Sequence, residues 1–320
     1  MAAITIGLHV VVARATDSYP NRPVEVIVPF PPGGIVDLVA RTLAAKLSST
    51  LGQNFFVENH GGASGVVGAV MTARAQPDGY TLLITTSAIT LAALLNKTDY
   101  DPANSFAPIG VVSVSPVALL VSPGSKAKTV SELIVQIKKD GNAQYASAGL
   151  GTIDNLAAQM FRLSTGVEMT HIPFTGAGPA LVALAGGQVP IAFQALPGVV
   201  PLMRANAVRV LAVTSRTRSS AAPDIPTFAE LGVHDVVVET ATFVLAPRNT
   251  RQNVVDKLNR AITEILQTPD VREHFINMGL KPVSSSPAEA AARLNDELEK
   301  WDAVVKRAGL KEGTGRRLPQ

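Results

Sequence analysis

The first third of the chain alternates short runs of β-branched residues with runs of helical periodicity. Apolar residues recur at Ile35, Val39, Leu43 and Leu47, an i, i+4 stripe that predicts a helix. Strand–helix–strand alternation of this kind predicts a parallel sheet covered on both faces. The predicted strands are 24–29, 54–58 and 80–86, and the predicted helices are 35–51 and 66–75.

A second block with the same alternation follows. One of its helices begins after Thr129 or Ser131 as a cap, and another has Pro179 at its first position. The chain therefore contains two α/β units of comparable size. The predicted helices here are 130–139, 155–164, 179–185 and 199–205, and the predicted strands are 144–147, 168–173, 189–194 and 208–214.

The tail of the chain is mainly helical and has too few strands for a domain of its own. Helical patterns cover 251–267, 270–278 and 287–308, with one extended piece near 281–284. We therefore expect the tail to pack on the first unit, which requires two crossovers between units. The predicted domains are 19–121 together with 243–320, and an inserted domain at 122–242.

Two long uncharged stretches, 103–125 and 172–203, exceed the length of a membrane span. The first contains Pro108, Pro116 and Pro123, and the second contains five prolines and several glycines. We expect these residues to divide both stretches into short elements, which lipid would not tolerate without protein cover. Both stretches are therefore predicted to form the interior of a folded protein.

The N-terminus has features of an export signal. Residues 2–13 carry no formal charge, and Ala13-Arg14-Ala15 fits an A-x-A cleavage site, although no basic residues precede the apolar run. We interpret residues 1–15 as a degenerate signal peptide and expect a periplasmic protein. The alternative is that these residues form the first β-strand of a cytosolic domain.

Composition narrows the range of functions. The chain has 320 residues, 47% of them hydrophobic, which suffices for a packed interior and excludes a disordered chain. It has no cysteine, so disulfides, thiolate metal sites and cysteine nucleophiles are excluded together. The net charge is +3, with no basic stripe for nucleic acid. Mild basicity suits a small anionic ligand.

Two predicted strand-to-helix junctions are rich in glycine. The first contains Gly33 and Gly34, and the second is Gly149-Leu150-Gly151-Thr152. Unpaired amides at a helix start, together with the helix dipole, form an anion site. A cleft with one such helix start on each side would suit one or two carboxylates. The alternative is that each glycine pair only marks a turn.

Asp37 falls in the first turn of the helix after the first junction. Its structural role would be a favourable interaction with the helix dipole. A carboxylate repels an anionic ligand, so if Asp37 faced the cleft it would bind an ammonium, a hydroxyl or an ordered water.

Motifs for catalysis are absent from the sequence. The glycine-rich segments lack the dinucleotide fingerprint, and Ser64 does not lie in a G-x-S-x-G elbow. The five histidines show no metal-ligand spacing, and no nucleophile, base and orienting group come together. His171 and Trp301 are interpreted as structural. These observations favour binding over catalysis, so we predict no catalytic residue, cofactor or metal.

A set of motifs that occur in order carries a family resemblance. Together they make the chain similar to the substrate-binding proteins of tripartite tricarboxylate transporters, the Bug-type periplasmic receptors, from about residue 19 to about residue 311. The motifs are VPFPPGGIVD at 28–37, VENHGGASG at 57–65, PDGYTLL at 77–83, YDPANSFAPIG at 100–110, YASAGLGTIDNL at 145–156, HIPFTG at 171–176, GGQV at 186–189, LAVTS at 211–215 and PDIPTFAE at 223–230.

The resemblance implies a two-domain, type II Venus-flytrap fold of the α/β class. It implies a small carboxylate ligand in the interdomain cleft, a di- or tricarboxylate or an aromatic acid, and membrane permease subunits as partners of a monomeric receptor. Two glycine turns would grip the carboxylate, partly through water. The expected ligand-binding residues are Phe30, Pro32, Gly33, Gly34, Asp37, Ser87, Ala88, Ser147, Gly149, Gly151, Thr152 and Gln194.

Some positions depart from the family pattern. Thr152 and Asn155 stand where the family commonly has Ser and His, and Gln194 stands at an acidic position. A neutral Gln194 lacks the charge that would bind an ammonium, so an amino-acid ligand is disfavoured. Two other functions stay open from sequence. The protein could be a periplasmic sensor subunit, or an α/β enzyme that binds a nucleotide at the Gly149 loop.

Overall fold

The computed structural model describes residues 19–307, so the predicted signal peptide at 1–15 lies outside the described residues. Strands and helices alternate through most of this part of the chain, as the sequence pattern predicts. The strands are β1 (Val24–Val28), β2 (Phe55–Asn59), β3 (Thr81–Thr86), β4 (Phe106–Val121), β5 (Ala143–Ser147), β6 (Met169–Pro173), β7 (Ile191–Ala195), β8 (Arg209–Val213), β9 (Glu239–Pro247) and β10 (Lys281–Pro282).

The helices follow the predicted spans to within a few residues, with one addition. They are α1 (Ile35–Leu51), α2 (Val66–Arg74), α3 (Ala88–Leu95), α4 (Val130–Asp140), α5 (Ile153–Thr165), α6 (Ala177–Ala185), α7 (Leu196–Arg204), α8 (Gln252–Gln267), α9 (Pro269–Asn277) and α10 (Pro287–Arg307). Helix α3 is the addition. Among the helices in residues 19–307, none has the length and apolar character needed to cross a bilayer.

The strands form one curled mixed sheet in the order β2-β1-β3-β9-β4-β7-β5-β6, with β8 and β10 also paired to β4. Strands β2, β1 and β3 are mutually parallel, as are β6, β5 and β7. The central strands β9 and β4 pair antiparallel with their neighbours. We call the part built on β1, β2, β3 and β9 the first lobe, and the part built on β5, β6, β7 and β8 the second lobe.

Strand β4 belongs to both lobes and corrects the reading of residues 103–125 as several short elements. Its 16 residues pair with β9 up to Pro116 and with β7 from Val117 onward. The strand passes through Pro108 and Pro116, and its register against β9 shifts between Pro108 and Gly110. A proline removes one ladder donor. A local shift in pairing therefore accommodates Pro108 without ending the strand.

Helices cover both faces of each lobe. In the first lobe, one core packs β1 and β3 against α1, α8 and α9, and a second core lies under α2 and the start of α10. In the second lobe, one core lies under α4 and α5 and another under α6 and α7. Helix α10 joins the two lobes, because Leu294 lies in a first-lobe core whereas Trp301 and Val305 lie in a second-lobe core.

Candidate functional site

The pairing register places the carboxyl ends of the parallel strands of the two lobes opposite each other. Thr86, at the end of β3, aligns with Thr242 of β9, which aligns with Ser113 of β4. Ala195, at the end of β7, aligns with Val117 of β4. Strands β3 and β7 therefore run toward each other, and their ends are separated by four residues of β4, or about 13 Å. Ligands bind at such strand ends in α/β sheets.

The first glycine turn connects β1 to α1 in the first lobe. Helix α1 has Gly34 as its N-cap, with no side-chain cap, and Gly33 has a positive φ of 81°. The amides of Gly34 and Ile35 make no hydrogen bond within residues 19–307. Phe30, Pro32 and both glycines therefore lie beside an open helix N-terminus, which is the arrangement that favours an anion.

The Asp37 carboxylate stabilises this turn through hydrogen bonds. Its carboxylate accepts the Gly33 amide at 2.9 Å, the Arg41 Nε at 2.9 Å and the Asn59 side-chain amide at 2.9 Å, and its side chain is 3% exposed. Burial favours the neutral acid, but these hydrogen bonds and the Arg41 charge outweigh it and hold the pKa of Asp37 below its usual value. These contacts agree with a structural role for Asp37 at the start of α1, one of the two roles considered from the sequence. They also leave the Gly33 amide hydrogen-bonded, whereas the sequence pattern suggested that this amide was open.

The second glycine turn connects β5 to α5 in the second lobe. The Gly149 amide donates to the Ser147 hydroxyl at 3.2 Å, and the Gly151 amide donates to Asn155 Oδ1 at 3.3 Å. The Thr152 hydroxyl caps α5 by accepting the Asn155 amide. These internal bonds shape the turn and use the amides of both glycines. The amides of Leu150 and Ile153 make no hydrogen bond within residues 19–307.

A layer of neutral polar side chains supports the second turn. The Ser147 hydroxyl lies 2.7 Å from His171 Nε2, and the His171 ring stacks on Tyr145 at 5.0 Å between centroids. Burial lowers the pKa of His171. The Tyr145 hydroxyl accepts the side-chain amides of Asn155 and Gln159. Sequence reasoning treated His171 as a surface or core residue and did not connect it with Ser147. Only the pairing of β5 with β6 brings the two together.

Two buried polar side chains near the second turn have atoms without a hydrogen-bond partner in residues 19–307. Gln194, at the end of β7, is fully buried, and neither its amide nitrogen nor its oxygen makes a hydrogen bond in residues 19–307. Asp154, in the first turn of α5, is 4% exposed, and its Oδ1 is also unpartnered in this part of the chain. Burial raises the pKa of Asp154 to about 7, although the amides of Ala195 and Ala148 partly offset it. Unsatisfied buried groups of this kind are costly and point to an absent partner.

Ser87 and Ala88 lie at the carboxyl end of β3, beside the first turn. The Ser87 hydroxyl is buried and accepts the Ala241 amide of β9 at 2.9 Å. The Ala88 amide donates to Thr86 Oγ1 at 3.3 Å. This segment is thereby fixed to the antiparallel centre of the sheet. Its predicted contact with a ligand stays a prediction.

The lobes touch next to the second turn. Gly151 packs so closely on Leu95, the last residue of α3, that a Cβ at this position would overlap the Leu95 side chain. Together with the strand register, this contact brings the second turn up to the first lobe. The predicted site residues therefore divide into two groups, one at the carboxyl ends of β1 and β3 and one at those of β5 and β7.

Comparison with known proteins gives a consistent family match. A family model described as "Tripartite tricarboxylate transporter family receptor" matches residues 39–310. The chain is 38% identical over 301 residues to Protein BugT of Bordetella pertussis, and the match covers 93% of this chain and 92% of BugT.

Solved structures give the same result for the fold. MatC from Rhodopseudomonas palustris with bound malate superposes with a TM-score of 0.78 at 33% identity, covering 90% of this chain and 100% of that one. R. palustris Rpa4515 with adipate superposes with a TM-score of 0.82 at 34% identity, covering 91% of this chain and 98% of that one. These similarities support the two-domain periplasmic-binding-protein fold predicted above.

Proposed function

The chain belongs to the tripartite tricarboxylate transporter receptor family, and from this premise we propose that it captures a small carboxylate in the periplasm. The ligand lies between the two lobes, at the facing carboxyl ends of the strands. We take it to be a di- or tricarboxylate or an aromatic acid, delivered to the membrane subunits of a tripartite tricarboxylate-type permease.

The observation that carries this proposal is the pair of open helix N-termini on facing strand ends. The amides of Gly34 and Ile35 in the first lobe, and of Ile153 in the second, have no partner within residues 19–307. Each lies at a positive helix end, where a carboxylate is stabilised by the dipole and by hydrogen bonds. Because the two sites belong to different lobes, a ligand that bridges them stabilises the closed form.

The structures of relatives support the ligand class. MatC is described with malate and Rpa4515 with adipate, both of which have a carboxylate at each end. In this chain Gln194 lies near the second turn, at the end of β7, and its buried side-chain amide needs both an acceptor and a donor. A neutral amide satisfies a hydroxyl or a carboxyl group but supplies no charge for an ammonium. We therefore expect organic acids to bind in preference to the corresponding amino acids.

A thermal-shift screen of mono-, di- and tricarboxylates and aromatic acids tests the proposal. A ligand at 100 times its dissociation constant raises the free energy of unfolding by about 2.7 kcal/mol, which gives a clear rise in the melting temperature. Amino acids with the same carbon skeletons serve as the comparison set. If no organic acid raises the melting temperature, or if the amino acids bind more tightly than the acids, the proposal is wrong.

Two variants locate the bound acid. Gly34→Val places a branched side chain over the open α1 terminus and is expected to abolish the ligand-induced shift. Gly124→Val is the matched control, because Gly124 is exposed, has space around its Cβ position and lies beyond the far end of β4. Equal ligand-induced shifts in the two variants would exclude the first turn from the site.

A further inference from the structure

Three potential metal ligands meet on two neighbouring strands of the first lobe, and none of them belongs to the two glycine turns described above. Glu25 lies on β1, Glu58 lies on β2, and His60 follows β2 directly. Their ligand atoms all lie within 4.8 Å of one another. The parallel register pairs Glu25 with Phe56, so Glu25, Glu58 and His60 project from the same face of the sheet. We call these three residues the Glu–Glu–His group.

The spacing within the group matches that of ligands around one metal ion. His60 Nε2 lies 3.2 Å from Glu58 Oε2. Two nitrogen or oxygen ligands at about 2.0–2.1 Å from a tetrahedral Zn²⁺ are about 3.3 Å apart. The Glu58–His60 separation therefore fits two ligands of one ion, and Glu25 lies within 4.8 Å of both. Glu25 and His60 are half-buried, so both are partly held in place before an ion arrives.

The charges of the group also favour the binding of a cation. Two carboxylates lie side by side, and within residues 19–307 neither forms an ion pair with a lysine or arginine. The His60 ring, next to Glu58, is the positively chargeable partner that the group itself contains. Like charges this close repel each other. A divalent ion would neutralise both carboxylates and use the imidazole nitrogen as a third ligand.

We propose that Glu25, Glu58 and His60 bind a divalent transition-metal ion, with water completing its coordination. One imidazole and two carboxylates favour Zn²⁺ over Ca²⁺ and Mg²⁺, which prefer oxygen ligands alone. The ion would connect the edge strand β2 to β1. The glycine-rich segment 61–65 follows directly, and in it Gly65 packs against the Phe30 ring. The three ligands are not among the predicted carboxylate-binding residues, and the test of the site does not depend on the proposed function.

Isothermal titration of the chelator-treated full chain, without a polyhistidine tag, with ZnCl₂ tests the site. We expect one Zn²⁺ per chain, and affinity at least about tenfold weaker in each of Glu25→Gln, Glu58→Gln and His60→Gln. Each variant is first checked for a native circular dichroism spectrum and melting temperature. His274→Gln is the matched control, because it removes an exposed imidazole on α9 and is expected to bind like the wild type.

Three results would overturn the site. The first is no Zn²⁺ binding by the wild type. The second is a loss of affinity in His274→Gln as large as that in His60→Gln, which would mean adventitious surface binding. The third is unchanged affinity in Glu25→Gln, which would reduce the group to the Glu58–His60 pair. Titration with CaCl₂ adds a further check, since preferential binding of Ca²⁺ would contradict the proposed ligand chemistry.

Discussion

The starts of α1 and α5 share a sequence pattern but differ in their electrostatics. Each helix follows a β-strand and a turn containing a glycine with positive φ, and each has an aspartate in its first turn. The pKa of Asp37 lies below its usual value, whereas burial raises the pKa of Asp154 to about 7. Both side chains are nearly inaccessible to solvent, and burial favours the neutral acid at both, although Asp154 lies deeper, so burial is only part of the explanation.

The hydrogen-bond partners of the two carboxylates also account for the difference in pKa. Asp37 receives hydrogen bonds from Gly33, Arg41 and Asn59, one of them from a cation. Asp154 lacks a cationic partner among the described residues, and its Oδ1 accepts no hydrogen bond there. Dipole stabilisation at a helix N-terminus is worth at most a few kcal/mol. An acidic residue in the first helical turn therefore predicts a cap position but not the protonation state.

The largest expected effect comes from removing the Asp37 carboxylate. Asp37→Ala leaves the Gly33 amide, the Asn59 amide and Arg41 without their shared acceptor, so we expect a loss of about 3 kcal/mol in the free energy of unfolding at pH 7. Because the folded-state pKa is depressed, the wild-type contribution is present above the unfolded pKa and is lost as the pH falls through the folded value. The difference between variant and wild type should therefore shrink in acid.

Urea unfolding at neutral and acidic pH measures this effect. The matched control is Asp99→Ala, which breaks an ion pair with Arg74 whose side chains are 71% and 67% exposed. Exposed pairs contribute about 0–1 kcal/mol. If both variants lose the same stability, Asp37 does not support the first turn.

A smaller effect of opposite sign is expected at the second turn. The raised folded-state pKa means that Asp154 holds its proton more tightly in the folded than in the unfolded protein. The stability that this provides is fully present below the unfolded pKa and is lost as the pH rises through the folded value of about 7. Asp154→Asn removes the charge and should raise the free energy of unfolding at pH 8 by about 2 kcal/mol. This is less than the roughly 4 kcal/mol to which the pKa shift corresponds, because a neutral side-chain amide accepts the amides of Ala195 and Ala148 less strongly. The gain should shrink as the pH falls below 7 and disappear only near the unfolded pKa, where the carboxyl is protonated in both the folded and the unfolded protein.

Unfolding curves from about pH 4 to pH 9 distinguish this prediction from a general packing effect. A gain that is equal at both ends of the range would mean that the charge is not involved. A loss at pH 8 would mean that the amides of Ala195 and Ala148 stabilise the ionised carboxylate by more than burial destabilises it.

Local patterns in the sequence predicted most helices and the glycine turns. The i, i+4 apolar stripe predicts α1 over the residues that form it, and the Thr129 cap places the start of α4. The two strand-to-helix junctions also follow from local residues. These features depend on neighbours a few positions away, which the sequence shows directly.

Features that depend on distant residues were missed. The prolines of β4 suggested breaks, because the compensating register shift depends on β9, more than a hundred residues away. The Gly33 amide is an exception, because its acceptor Asp37 is only four residues away; the local pattern does not show that this side chain turns back to the amide. The raised pKa of Asp154 and the pairing of Ser147 with His171 both require the assembled second lobe. The Glu–Glu–His group likewise depends on the β1–β2 register.

The smallest expected effect is a difference in stability between alanine substitutions at one glycine of each turn, and it depends on the atoms around the Cβ position of that glycine. Gly33 and Gly151 have φ of 81° and 71°, so alanine at either position costs about 1 kcal/mol of backbone strain. At Gly33 the Cβ position is open, whereas at Gly151 it overlaps Leu95. Gly151→Ala should therefore destabilise the protein by about 1 kcal/mol more than Gly33→Ala.

The double variant Gly151→Ala/Leu95→Ala tests whether this excess arises from contact between the lobes. If the overlap with Leu95 is its cause, the two substitutions should couple, and their combined loss in urea unfolding should be smaller than the sum of the single losses. Additive losses would mean that the second turn does not press against α3. Because Leu95 ends the helix that follows β3, coupling would also show that α3 contacts the second turn in solution.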